Sequence, residues 1–188
     1  MSTEISDLLD VAAPAVIAVV RGVRDDQLGE PTPCPEFTVR DLLHHLVQVA
    51  QNFQALAHRK DVDWAAGPPA LTGDWRAEFA AEMRALTDVW ADPSSLDGQS
   101  PGMGLPQRVV GLMVVTDLVV HGWDLAAATG RAYRVDPRLL AALGEFLDLM
   151  GDTGRQMGAF GPEVSAPEGG DEFAGLLART GRHANWRP

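Results

Sequence analysis

The stretch VVGLMVVTDLVVHGWDLAAAT, residues 109–129, is the most apolar part of the chain. Its apolar residues recur on every side of an α-helix, so we expect a helix that is buried nearly all round. One row along this helix nevertheless carries Asp117, His121 and Asp124, at i, i+4 and i+7. Buried charge is costly unless it is paired or bound to a metal. The stretch therefore predicts the core of a helical fold and a functional site within it.

The other segments also predict helices. We expect them over residues 3–23, 39–60 and 74–90, from residue 137 onward, and over 171–179, with the apolar stretch as the helix 107–129. Local signals set several ends: Thr38 and Asp136 as N-caps, Pro137 at a first helical position, and Gly130 as a stop. Trp64 and residues 67–69 mark one connection, 92–106 is a long Gly, Pro and Ser-rich loop, and 158–170 is a further loop. This pattern fits an all-α fold, a four-helix bundle of one domain over residues 1–188 with a short extra C-terminal helix.

Composition excludes several classes of function. The chain has 188 residues and a net charge of −11, from 15 basic and 26 acidic residues, so nucleic acid and anionic membranes are not expected partners. The apolar run 11–20 follows acidic residues and is too short to span a bilayer, so we expect a core helix there and no signal peptide. Cys34 is the single cysteine. It rules out an internal disulfide and fits a cytoplasmic location.

Asp117 and His121 form the core of a predicted metal site. Residues four apart project from the same face of a helix, and a carboxylate and an imidazole placed in this way can share one cation. Catalytic zinc sites usually have three protein ligands and an open position. A third ligand is therefore expected from another helix.

Helical geometry selects among the remaining histidines. His45 falls at the edge of the apolar face of the second helix, whereas His44 and His58 fall on the side expected to face solvent. His183 lies in the tail and is expected to be exposed. The predicted metal ligands are therefore His45, Asp117 and His121. A histidine at a core edge is more often only hydrogen-bonded, and Asp–His pairs are common on exposed helices; their combination on an apolar helix favours the metal.

Three neighbouring residues have weaker predicted roles. Asp124 could orient an imidazole or pair with an arginine such as Arg131, but a salt bridge or cap near the helix end explains it equally well. Trp123 is expected to pack in the core. Cys34 could act as a soft ligand, but its loop position favours a small buried apolar side chain.

Three segments carry a family resemblance: TPCPEFTVRDLLHHLV (32–47), TDLVVHGWDLAAATG (116–130) and the closing LLARTGRHANW (176–186). Together they resemble the DinB-like superfamily, in its mycothiol-dependent maleylpyruvate isomerase N-terminal branch, and the last resembles the end of short actinobacterial members. The resemblance implies a four-helix bundle with a divalent metal, usually zinc, on His45, Asp117 and His121. It also implies chemistry on a low-molecular-weight thiol, mycothiol.

Two departures limit what the resemblance implies. The isomerase has a glutamate where this chain has Asp117, and it has a separate C-terminal domain. We therefore expect a metal- and thiol-dependent transferase or isomerase acting on a small electrophile, but not maleylpyruvate isomerisation itself. A metal-assisted hydrolase is one alternative. A non-catalytic metal- or small-molecule-binding stress protein, which could form a homodimer, is the other. The metal is expected at the base of a pocket walled by helices two and four and by the loop 92–106.

Overall fold

The computed structural model describes residues 2–67 and 73–188. Over these ranges the chain forms six α-helices: α1 Glu4–Gly22, α2 Val39–Ala57, α3 Trp75–Trp90, α4 Gln107–Ala128, α5 Pro137–Gln156 and α6 Glu172–Arg179. Two short 3-10 turns, Asp25–Gln27 and Pro93–Leu96, lie in the loops. No strand is present in the described ranges, which contain two isolated β-bridges. The all-α prediction is confirmed; Pro68 and Pro69 of the predicted α2–α3 connection lie outside the described residues.

Side-chain caps fix where most helices begin. The side chains of Thr3, Thr38, Asp74, Asp136 and Asp171 accept backbone N–H groups at the starts of α1, α2, α3, α5 and α6. Each such cap satisfies an amide that has no partner within the helix, and contributes about 1 kcal/mol. The predicted starts therefore agree with the structure to within one residue.

The end of α2 differs from the predicted end. The helix was expected to continue to Lys60 but ends at Ala57. Arg59 has a left-handed φ of 56°, which a helix cannot accommodate. Its guanidinium donates to the carbonyl oxygens of Ser94 at 2.7 Å and Asp97 at 3.1 Å, so these contacts hold the chain in the turn.

Helices α1 to α4 form the predicted four-helix bundle. Each of α1 and α2 packs against both α3 and α4, while α5 packs on the outer side of α4 and α6 packs on α5. Because α1, α2 and α5 all cover α4, sixteen of its 22 residues are buried. By length and composition α4 could cross a membrane, but 78% of its most apolar window is buried within the fold, so core packing accounts for its composition. The long α5 adds a layer outside the bundle, and the sequence pattern alone does not predict this position.

Two glycines bring α1 close to α4. A Cβ at Gly111 would stand 2.5 Å from Cγ1 of Ile5, and one at Gly122 would stand 2.9 Å from Cγ2 of Val16. Both distances are shorter than any ordinary carbon–carbon contact, so only glycine permits this approach. Eleven residues separate the two positions, which places them on the same face of α4. The row that carries Asp117 is thereby turned away from α1.

A candidate metal centre beside an apolar cavity

The position of His45 is fixed by the start of α2. Thr38 Oγ1 accepts the Asp41 amide at 3.3 Å, and Asp41 Oδ2 accepts the Thr38 amide at 3.0 Å. This reciprocal capping box sets the register of the helix. His45 then lies in its second turn, with its ring 5.3 Å from the ring of Phe37, measured between centroids.

Helix α4 supplies the other two donors. Asp117 Oδ1 and His121 Nε2 are 3.9 Å apart, and the rings of His45 and His121 meet edge to face at 4.8 Å between centroids. One donor atom from each of the three residues lies within 4.8 Å of the other two. The structure therefore brings the three predicted ligands to one point, and this group could hold a metal ion.

Behind the donors lies a buried ion pair. Asp124 is fully buried and its Oδ2 lies 2.9 Å from Nδ1 of His121. Arg182, which is 6% exposed, donates to the same carboxylate at 3.3 Å and 3.1 Å. Burial opposes ionisation of Asp124, but the hydrogen bond from His121 and the charge of Arg182 outweigh it and lower the pKa of the carboxyl. An ionised Asp124 accepts Nδ1–H, which leaves the Nε2 lone pair of His121 free on the side of Asp117.

His45 is held as a neutral imidazole. Burial, followed by repulsion from His121 and Arg182, lowers the pKa of His45 to about 3. Its Nε2 is shielded from solvent and has no hydrogen-bond partner within residues 2–67 and 73–188. A buried polar nitrogen without a partner costs free energy, about 1–3 kcal/mol, unless a ligand satisfies it. A cation between the three donors would be coordinated by the His45 ring, so the residues present fit a metal ion.

Asp117 completes the group as its one carboxylate. Burial raises the pKa of Asp117, while the charges of His121 and Arg182 act in the opposite direction. Its side chain keeps 27% of its exposure, and it lines the cavity described below. A carboxylate in a confined, weakly solvated position favours an adjacent cation.

The three donors open into a cavity of about 650 Å³. Its walls include side chains of α2 and α4 and of the loop 92–106, as the sequence predicted. They also include residues that the sequence analysis did not assign to the site, on α5, on the segment after it and on the α2–α3 connection. Phe146 and Met150 come from α5, Phe160 from the following segment, and Val62 and Trp64 from the connection.

Several expectations about neighbouring residues need correction. The arginine that pairs with Asp124 is Arg182, whereas Arg131 donates to the carbonyl oxygen of Gly22. His44 was expected to face solvent, but it is half-buried, and its shielded Nε2 has no partner in the part of the chain that the structure describes. Trp123 is only half-buried and is not among the side chains packed against the apolar core.

The remaining histidines and the cysteine stand apart from the donor group. His58 and His183 are exposed, as predicted. Cys34 is half-buried, and burial raises the pKa of its thiol although the charge of nearby Arg182 opposes this. It is not one of the three converging donors. The site that the described residues form therefore contains no sulfur ligand.

Comparison with known proteins gives a family match and two relatives. The family model of the mycothiol maleylpyruvate isomerase N-terminal domain matches residues 9–126. Two uncharacterized proteins of Mycobacterium tuberculosis, one from strain CDC 1551 / Oshkosh and one from strain ATCC 25618 / H37Rv, are each 34% identical to the chain over 186 residues. Each alignment covers 91% of this chain and 95% of the relative. No solved structure matches the chain.

Proposed function

We propose, because the chain belongs to the mycothiol maleylpyruvate isomerase N-terminal domain family, that it binds a divalent metal ion. Zinc is the proposed metal, and His45, Asp117 and His121 are its proposed ligands. We further propose that the centre serves a transferase or isomerase reaction between a low-molecular-weight thiol, mycothiol, and a small electrophile. The observation that carries the metal proposal is the convergence of one donor atom from each of the three residues. The buried Nε2 of His45, which has no partner among the described residues, supports it.

Each residue of the group has a part in this proposal. His45 remains neutral throughout the physiological pH range, so its ring nitrogen is available as a ligand. Asp117 supplies negative charge, and Asp124 fixes the orientation of His121 through Nδ1. Three protein ligands leave a coordination position open, as in catalytic zinc sites. In a bound metal that position would be reached from the cavity, because all three donor residues line it.

The proposed chemistry needs a thiol from outside. A bound divalent cation would promote loss of the proton from a thiol that coordinates it, and the thiolate is the nucleophilic form of sulfur. In the reaction a carbon–sulfur bond forms at an electrophilic carbon of the substrate. In a transfer by addition the thiol proton goes to the neighbouring carbon; in an isomerisation the addition is reversed after rotation about the carbon–carbon bond, and the thiol is regenerated. The chain's own Cys34 is not in the donor group.

Metal titration of single variants tests the first part. Protein stripped with a chelator is titrated with Zn²⁺ or Co²⁺ and compared with His45→Ala, His121→Ala and His44→Ala. Loss of a ligand should reduce metal affinity at least about tenfold in the first two, with the helical circular dichroism retained because packing dominates helix stability. His44→Ala is the matched control, one residue from His45 but outside the donor group. Equal losses in His44→Ala and His45→Ala, or no metal bound by the wild type, would overturn the assignment.

Cobalt spectroscopy tests the thiol. Mycothiol added to the Co²⁺ form should produce a sulfur-to-metal charge-transfer band, and the band should be absent from His121→Ala. A loaded protein whose spectrum neither mycothiol nor other small thiols change would contradict thiol chemistry. Ester or amide turnover by such a protein would point to a hydrolase, and tight ligand binding without turnover to a binding protein.

A further inference from the structure

We propose that the cavity beside the donor group takes an uncharged, largely apolar molecule, and therefore that the electrophile of this protein is of that class and not a carboxylate-bearing compound. The identification of the cavity ligand as the electrophile rests on the proposed function. The selectivity for uncharged apolar ligands follows from the walls of the cavity alone, and can be tested without metal or thiol.

Eight of the side chains that line the cavity are thioether or aromatic. Four of the six methionines of the chain line the cavity, namely Met103, Met113, Met150 and Met157. Methionine is flexible and polarisable, and it contacts aromatic groups favourably. Four aromatic side chains add flat apolar surface: Phe53, Trp64, Phe146 and Phe160. A volume of about 650 Å³ with this lining matches the usual binding site of a small apolar ligand.

The charges on the walls do not favour an anion. Asp61 and Asp117 line the cavity, and both are acidic. Among the described residues, Arg182 is the only lysine or arginine that lines it, and the residues 68–72 include neither type. Arg182 already donates to Asp124 and to the carbonyl oxygen of Thr180. A substrate carboxylate would thus find no free cationic side chain among the described residues, and desolvating an unpaired carboxylate is costly. The proposed divalent metal would not compensate it, because the negative charges of Asp117 and of a coordinated thiolate would together offset its two positive charges.

The mouth of the cavity points to the same class of ligand. Trp64 is 47% exposed and Met157 is 79% exposed, and both line the cavity. They are two of the three large apolar side chains that the described part of the chain leaves exposed. Trp64 also packs edge to face on Phe53, at 5.8 Å between ring centroids. Apolar surface therefore continues from solvent into the interior, which suits the entry of an apolar molecule.

A matched pair of fluorescent probes tests the proposal on metal-free protein. N-phenyl-1-naphthylamine is uncharged, and 8-anilino-1-naphthalenesulfonate is the same skeleton with a sulfonate. The uncharged dye should bind saturably, with one site per chain, and at least about tenfold more tightly than the sulfonate, a difference of about 1.4 kcal/mol. Equal or tighter binding of the sulfonate, or no saturable binding of the uncharged dye, would overturn the proposal.

Two lysine substitutions locate the dye. Met150 lines the cavity, whereas the adjacent Leu149 is 54% exposed and does not line it. Met150→Lys should weaken binding of the uncharged dye at least tenfold and reduce the preference over the sulfonate. Leu149→Lys changes net charge equally and should leave both affinities unchanged. Met157→Lys, at the exposed mouth, replaces Met150→Lys if the latter fails to fold. Equal effects of the cavity and control variants would place the dye on the surface and refute the proposal.

Failure of this test and failure of the proposed function can be told apart. If metal titration shows no binding while the dye preference holds, the cavity is an apolar ligand site without a metal. If the metal binds but the sulfonate is preferred, the centre stands and the substrate class is wrong.

Discussion

Removal of the Arg182 guanidinium should destabilise the protein through Asp124. Arg182 is 6% exposed and Asp124 is fully buried, so their ion pair lies away from water. In Arg182→Met the volume is roughly kept, but the carboxylate retains only its hydrogen bond with His121. Breaking a buried pair by removing one partner costs about 3–5 kcal/mol, because an uncompensated charge remains. We expect a loss of this size in the free energy of unfolding of the metal-free protein, measured by urea titration.

A double-mutant cycle separates the charge from packing. Asp124→Asn combined with Arg182→Met removes both charges, so the double variant should lose less stability than the sum of the single variants, by at least about 1 kcal/mol. Additive effects, or a loss below about 1 kcal/mol in Arg182→Met alone, would refute the reasoning. Metal affinity provides a second measurement. Because Asp124 orients His121, Arg182→Met should weaken metal binding by about 10–100-fold if the proposed centre is correct.

Three further predictions concern residues of the site and its helix. In the metal-free protein, the pKa of His45 is about 3 in the folded state and returns to about 6.5 on unfolding. The free energy of unfolding should therefore fall by up to about 1.4 kcal/mol per pH unit as the pH drops from about 6.5 to about 3. In His45→Leu, urea titrations at several pH values should lack this part of the slope. In thermal melts, Gly122→Ala should lower stability by about 1–3 kcal/mol, because its Cβ would stand 2.5 Å from the Tyr133 hydroxyl. The control Gly175→Ala, in α6, should be neutral or slightly stabilising, because no atom lies within 4 Å of its Cβ. Asp117→Asn should lose at least about tenfold in Zn²⁺ affinity by calorimetry, and Asp117→Glu should retain most of it because the carboxylate is preserved; equal losses would show that the charge of this ligand is unimportant.

The sequence is sufficient for features that depend on local rules. Capping residues predicted the starts of α2 and α5, at Thr38 and Asp136, because a cap acts within one turn of the residue that it satisfies. The direction of His45 followed from the apolar face of α2, and the shared face of Asp117 and His121 from their spacing. These inferences need no knowledge of which helix packs against which.

Features that depend on packing partners were outside the reach of that reasoning. His44 is an example. A helical wheel gives the direction of its side chain, but it does not show which other segment covers that side of the helix. One turn along the same face, Gln48 Nε2 donates to the carbonyl oxygen of Ala66 at 2.6 Å, so the connection after α2 runs back along this side. The contribution of α5 to the cavity was missed for the same reason: its position outside the bundle, against α4, is set by tertiary packing.

Arg182 acts on a residue that is distant from it in the sequence. It lies 58 residues from Asp124 and beyond the part matched by the family model. No periodicity links the two positions, yet the buried carboxylate that orients His121 depends on this guanidinium for compensation. A buried acid and the arginine that compensates it should be retained or lost together, since either alone is costly. In an alignment of relatives we therefore expect an uncharged residue at the position of Asp124 wherever the position of Arg182 lacks a basic residue. Frequent relatives with the acid alone would show that it can be compensated from elsewhere, and that Arg182 does not set the orientation of His121.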